Sequence, residues 1–161
     1  MISIIIPTYN NLEYLKLCLN SIKKNSTHNH EIIIHVNDGS DGTLEFIKNS
    51  EYKFTISNVN IGLCSSINKA ARLVSNQYIL YSHDDMYFCP DWDRVLIKEV
   101  KSMNDDKFYL SGTMIEANSG HIRYNFGDNF ANFREDELLN KYKSLNFYDH
   151  QGTHFAPHLV S

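Results

Sequence analysis

The chain has 161 residues, which suits one domain of ordinary dimensions and suffices for a core that needs no disulfide or metal staples. Hydrophobic residues make up 42% and charged residues 21%, the balance of an ordinary globular protein rather than a disordered or fibrous one. Fifteen Lys and Arg against nineteen Asp and Glu give a formal net charge of −4, which argues against a nonspecific grip on nucleic acid or on an anionic membrane.

Short apolar runs alternate with longer amphipathic stretches, the pattern of βα units around a parallel sheet. Ile2 to Ile6 predicts a first strand covered on both faces and ended by Pro7. Leu12, Leu15, Leu19 and Ile22 recur at spacings of three and four, so residues 11 to 24 predict an amphipathic helix, capped by Asn10 or Asn11. Glu31 to Val36 is the second strand, followed by the turn Asn37 to Gly42 and a helix from Thr43. A weaker third strand spans Phe54 to Ser57, and a helix spans 63 to 75. Tyr78 to Tyr81 is a fourth strand running into Ser82-His83-Asp84-Asp85. Trp92, Val95, Leu96 and Val100 mark another helix, and Phe108 to Ile115 a fifth strand. Residues 118 to 133 read mostly as loop, 134 to 144 as one helix, and 153 to 161 as a strand at a site, with the chain stopping partway through a larger fold.

In open α/β sheets ligands gather at the carboxyl ends of the strands. Those ends carry Pro7-Thr8-Tyr9-Asn10, Asn37-Asp38-Gly39-Ser40, Asn60-Ile61-Gly62 with Asn68 on the next helix, and His83-Asp84-Asp85. Adjacent carboxylates such as Asp84 and Asp85 repel each other unless a cation or hydrogen-bond donors compensate, and Mg²⁺ or Mn²⁺ suits such ligands beside a substrate's phosphates. The plainer reading is a solvated turn. Asp38 can accept from a ribose hydroxyl or a base imide N–H, with Gly39 making the tight turn; as composition alone, the segment is an ordinary turn with Asp41 as a helix cap. Thr8, Tyr9 and Asn10 offer hydroxyls, an aromatic face and helix N-terminal amides to a nucleotide, or form a loop and a cap.

Other chemistries are disfavoured. There is no GxGxxG after the first strand, no GxxxxGK[ST] and no GxSxG. His150, His154 and His158 are spaced by four, but Gly152 and Pro157 argue against the helix that would align them on zinc. Cys18, Cys64 and Cys89 form no CxxC, so no disulfide framework is expected and a reducing, cytoplasmic compartment is the simpler reading. No basic segment precedes the first apolar run, and no window approaches the roughly 20 apolar residues of a membrane span.

Taken in order, Ser3-Ile4-Ile5-Ile6-Pro7-Thr8-Tyr9-Asn10, Glu31 to Thr43, Asn60-Ile61-Gly62 with Asn68, and Tyr78 through Asp84-Asp85 to Pro90-Asp91 resemble glycosyltransferase family 2 over roughly residues 1 to 100. The resemblance implies a Rossmann-like GT-A αβα sandwich with a mostly parallel central sheet. Residues 1–105 would be the donor-binding half and 106–161 the start of an acceptor-side half of the same domain. It implies an inverting transfer from a nucleotide-diphospho-sugar, a UDP-sugar first, to a glycan or lipid-linked acceptor in polysaccharide synthesis, with Mn²⁺ or Mg²⁺. Pro7, Thr8, Tyr9 and Asn10 would line the nucleotide pocket and Asp38, with Gly39, would receive the base. Asn60, Gly62 and Asn68 would shape the wall, Asp84 would sit nearer the ribose and Asp85 on the cation. Cytoplasmic action is expected, and association with the inner membrane face would need a partner or a further tail, since nothing in this sequence encodes it. The chain departs from the family pattern at Asn37, Ile67 and Ser82, where an acid, an arginine and an acid are frequent. An inverting transfer needs a carboxylate base, and none of Asp128, Glu135, Asp136 and Asp149 is selected by a motif. A rival reading keeps the fold without catalysis, as a module that holds a nucleotide sugar.

Overall fold

A computed structural model describes residues 1–145 and 156–161. Ile2 through Thr8 are all buried, as the middle strand of a doubly covered sheet requires, and strand β1 runs over Ile2–Tyr9. It pairs in parallel with β2 (Glu31–Asn37) on one side and β4 (Tyr78–Tyr81) on the other, and β3 (Lys53–Ser57) adds to the far side of β2. Two more strands complete the sheet: β8 (His158–Val160) runs antiparallel to both its neighbours, β4 and β5 (Tyr109–Ser111), so that the edge strand β5 again runs with β4, giving the order β3-β2-β1-β4-β8-β5. A separate small piece pairs β6 (Ile115–Glu116) with β7 (Ile122–Arg123).

Alternation along the strands sends side chains into two helical layers. Ile4, Ile6, Ile34, Val36, Leu80 and Leu159 pack beneath α1 (Leu12–Asn25), α2 (Thr43–Lys48) and α4 (Trp92–Ser102). Ile5 and Ile33 meet Ala70 of α3 (Leu63–Ala71) on the other face. This is an αβα sandwich with a mostly parallel central sheet, as expected. The α1 face is the predicted one, with Leu15, Cys18, Leu19 and Ile22 buried.

Five boundaries differ from expectation. Pro7 does not end β1: by parity its nitrogen faces β4, which has already ended, so no ladder bond is lost. The side chains of Asn10 and Asn11 do not cap α1. Asp41 does, accepting from Leu12 N at 2.9 Å and also from Thr43 N of α2 at 3.0 Å. Burial opposes ionisation of Asp41, but these bonds outweigh it and hold the carboxyl below its ordinary value. Helix α3 stops at Ala71, and Leu73 and Val74 close it with tighter turns onto Ala70 and Ala71. Strand β5 ends at Ser111 because Gly112, next in the ladder, opposes Pro157, which has no N–H to return. The expected helix from 134 is α5 (Glu135–Lys141), followed by one 3-10 turn at Tyr142–Ser144.

Several histidines serve the scaffold. Asp93 at the start of α4 is fully buried and accepts from His28 N at 2.9 Å, Thr27 N at 3.0 Å and His30 Nε2 at 3.0 Å. His30 Nδ1 in turn accepts from Ile2 N, which ties the start of β1 to α4. His35 lies inside β2 between Thr55 and Ser57. His158 is buried in β8; His150 and His154, like Asp149, lie outside the described residues. Among the described residues no helix is long and apolar enough to cross a membrane.

Candidate functional site

The site is made by unequal strand lengths. Strand β4 ends at Tyr81, opposite Ile5, and Ser82 N makes the last link to Ile5 O at 3.0 Å. Strand β1 continues to Tyr9, still paired with Asn37 of β2. Beyond Tyr81 the chain turns away, leaving a cleft of about 340 Å³ at the carboxyl ends of β1, β2 and β4. This is where an open α/β sheet takes its ligands.

Pro7, Thr8, Tyr9, Asn60, Gly62, Asp84 and Asp85 line the cleft. Asn10, Asp38 and Gly39 stand beside it as a linked group. Asn10 Nδ2 donates to Asp38 Oδ2 at 3.0 Å, Gly39 N donates to Asn10 Oδ1 at 3.0 Å, and Ser40 Oγ donates to Asp38 Oδ2 at 3.1 Å. Asn10 and Asp38 both hold positive φ, 47° and 61°, which asparagine and aspartate tolerate better than other side chains. Gly39 is obligatory: a Cβ there would lie 2.7 Å from Val36 Cγ1 and 2.8 Å from Leu44 Cβ. Asn68 is exposed on α3 and does not line the cleft; Ser66, two residues earlier on the same helix, does.

Six residues outside the expected site set also line the cleft: Asn11, Asn37, Leu63, Ser66, Tyr81 and His83. Asn11 Nδ2 donates to Asp84 Oδ1 at 3.1 Å. Asn37 is buried and joins four segments: its amide donates to Thr8 O and Ser66 Oγ, and its carbonyl accepts from Ser57 Oγ and Ile61 N. A carboxylate there would lack the donor that Thr8 O receives, so the departure from the family's acid has a local reason. Tyr81 and His83 complete the wall. Ser82 is buried with its hydroxyl on His83 O, so nothing of it faces the cleft, and Ile67 packs on the sheet with the Ile5 and Ile33 cluster.

The electrostatics are one-sided. Burial pushes the Asp84 carboxyl above its ordinary value, with Asp85 adding to the rise, against the favourable contacts of Thr8 and Asn11. Thr8 Oγ1 makes no hydrogen bond of ordinary geometry to a described residue, yet it is near enough to Asp84 to favour its ionised form. Burial, then Asp85 and Asp84, pushes the Tyr81 phenol up to about 12. His83 Nδ1 stands 3.9 Å from Asp85 Oδ1, both largely exposed. Among the described residues no Lys or Arg lines the cleft, and no group of three His, Cys, Asp or Glu converges as a closed metal centre. Two hard oxygen ligands with open positions suit a cation that takes its remaining ligands from a diphosphate and water. Glu135 is engaged by Lys24 and Tyr87, Asp128 by Asn125, and neither these nor Asp136 lines the cleft.

The family model described as glycosyl transferase family 2 matches residues 3–158. Glycosyltransferase GlyA of Streptococcus pneumoniae serotype 4 is 31% identical over 110 residues, covering 65% of this chain and 16% of its own length. The chain therefore spans less than a fifth of that relative. S. aureus TarS residues 1–349 in complex with UDP-GlcNAc superposes with a TM-score of 0.62 at 18% identity, over 79% of this chain and 38% of that 1–349 chain. The mannosyltransferase PcManGT from Pyrobaculum calidifontis, in complex with GDP-Man and Mn²⁺, superposes with a TM-score of 0.56 at 19% identity, over 68% of this chain and 34% of its own. At such identities the likeness is one of fold, the GT-A fold.

Proposed function

The chain belongs to glycosyl transferase family 2, and from that premise we propose that it binds a nucleotide-diphospho-sugar in the β1/β4 cleft and passes the sugar, with inversion, to a glycan or lipid-linked acceptor. The observation that carries this reading is an acid cleft that no Lys or Arg lines among the described residues. A diphosphate is repelled by Asp84 and Asp85 unless a divalent cation lies between, so donor binding and cation binding become one event.

Asp38 keeps Oδ1 open to accept an imide N–H, while Asn10 and Ser40 hold Oδ2. That fits uracil, and a UDP-sugar is the first donor to test, in line with the UDP-GlcNAc complex of TarS. Tyr9, half exposed, offers a ring to the base or ribose, and Thr8, Asn60 and Gly62 form the wall. Asp85 and Asp84 would hold Mn²⁺ or Mg²⁺, which when bound neutralises charge on the diphosphate. Asn11 orients Asp84 for that task. Residues 1–105 act as the donor half. Residues 106–161 would begin the acceptor half of the same domain, a reading supported by β8 and β5 joining the sheet next to β4. Three free cysteines fit a reducing, cytoplasmic setting, and a lipid-linked acceptor would bring the domain to the inner membrane face.

The test is release of UDP from UDP-sugars with Mn²⁺ and again with EDTA, followed by analysis of the anomeric configuration of any transfer product. Mn²⁺-dependent turnover supports the proposal. Tight binding without turnover means a module that holds the donor only, and turnover unaffected by EDTA removes the cation from the reading.

A further inference from the structure

The Tyr81 hydroxyl is buried and has no hydrogen-bond partner among the described residues, although Tyr81 lines the cleft. An unpaired buried phenol destabilises a fold, and phenylalanine would fill the same space without that cost. The ring is held firmly. It sits on the last residue of β4, paired with Ile5 of β1 and His158 of β8, with its centroid 5.3 Å from that of His83 and 6.1 Å from that of His158. Alternation puts it on the α3 face with Ile79. Asp84 and Asp85 are close enough for their charge to act on the phenol, yet neither accepts from it.

Building on the donor-binding reading above, we infer that the Tyr81 hydroxyl is a hydrogen-bond donor held ready for the diphosphate of the bound nucleotide. The chemistry selects that partner. A sugar hydroxyl entering this space finds acceptors in Asp84 and Asp85 and has no need of a donor. Phosphate oxygens are acceptors only, the acid pair repels them, and among the described residues no Lys or Arg lines the cleft to receive them. Oxygens drawn to a cation on Asp84 and Asp85 come within the same wall as Tyr81. The phenol then satisfies them and is itself satisfied.

The experiment compares wild type with Tyr81→Phe, using calorimetry in Mn²⁺ with uridine, UDP and UDP-GlcNAc, and thermal unfolding of the unliganded proteins. UDP and UDP-GlcNAc affinities are expected to fall together by roughly ten- to a hundredfold, with uridine unchanged, the size of one hydrogen bond to a charged group. The unliganded variant is expected to melt at or above the wild-type temperature, because it loses an unpaired polar atom. Unchanged UDP affinity, a loss seen equally with uridine, a loss confined to UDP-GlcNAc, or a lower melting temperature would each overturn the assignment. Wild type that binds neither UDP nor UDP-GlcNAc would instead remove the donor-binding reading, and this one with it.

Discussion

Asn10 and Asn11, neighbours in the turn after β1, hold carboxylates on opposite sides of that strand: Asn10 reaches Asp38 at 3.0 Å toward β2, and Asn11 reaches Asp84 at 3.1 Å toward β4. Three acids from two loops thereby face one end of the sheet; of these, Asp84 and Asp85 line the cleft and Asp38 follows Asn37, which also lines it.

Loss of Asn11 tests one half of this arrangement. Asn11→Ala frees Asp84 without touching Asp38, so Mn²⁺-dependent UDP affinity is expected to fall about tenfold while uridine affinity holds. A calorimetric loss of the same size for both ligands would mean that Asn11 serves the fold of the turn.

The acid pair separates by burial. Asp85 is largely exposed, so Asp85→Ala is expected to change folding stability by no more than about 0.5 kcal/mol while abolishing the Mn²⁺ dependence of UDP binding. Asp84 has its folded pKa raised by burial, so its ionised form opposes folding at neutral pH. Asp84→Asn should therefore stabilise the unliganded protein and still lose the cation. Denaturant unfolding and Mn²⁺ titration together check both variants.

For Asp38 the informative change is to asparagine, which tolerates φ of 61° where alanine adds strain. Asp38→Asn turns an acceptor into a donor and should weaken uridine, UDP and UDP-sugars by a common factor of about ten or more. If only one sugar nucleotide responds, Asp38 reads the sugar and the orientation proposed above is reversed.

At the amino end of the sheet Glu31 accepts from Ser3 Oγ, Lys53 Nζ, Ser75 Oγ and Ser75 N, joining β1, β2, β3 and the approach to β4. Burial works against its ionisation, but the bonds from Lys53, Ser3 and Ser75 outweigh it and hold the carboxyl down at about 2. A depressed folded pKa gives stability that is complete above the unfolded value, about 4.3, and is lost as pH falls through about 2. Glu31→Gln should cost about 1–2 kcal/mol at pH 7, with the gap to wild type closing between pH 4 and 2. A gap constant with pH would show that packing, not charge, is responsible.

The α/β order, the buried face of α1 and the polar strand ends were legible because each rests on local periodicity or turn chemistry. What escaped depends on neighbours in space. That Pro7 continues β1 follows only once β4 is known to stop opposite Ile5. Asn11 looked like a helix cap because nothing near it in sequence reveals Asp84, 73 residues away. Asn37 looked like a weakened acid until its bonds to Thr8, Ser57, Ile61 and Ser66 were seen together. Asn68 and Ser66 sit on one short helix, and only the helix's rotation against the sheet decides which faces inward.

The early end of β4 also bears on how such a domain diversifies. The cavity arises by omission: one strand stops, and a proline lines the gap without a dangling amide. Surrounding turns can then lengthen, shorten or change their side chains while the hollow itself persists, since its shape is inherited from strand register and owes little to any single loop.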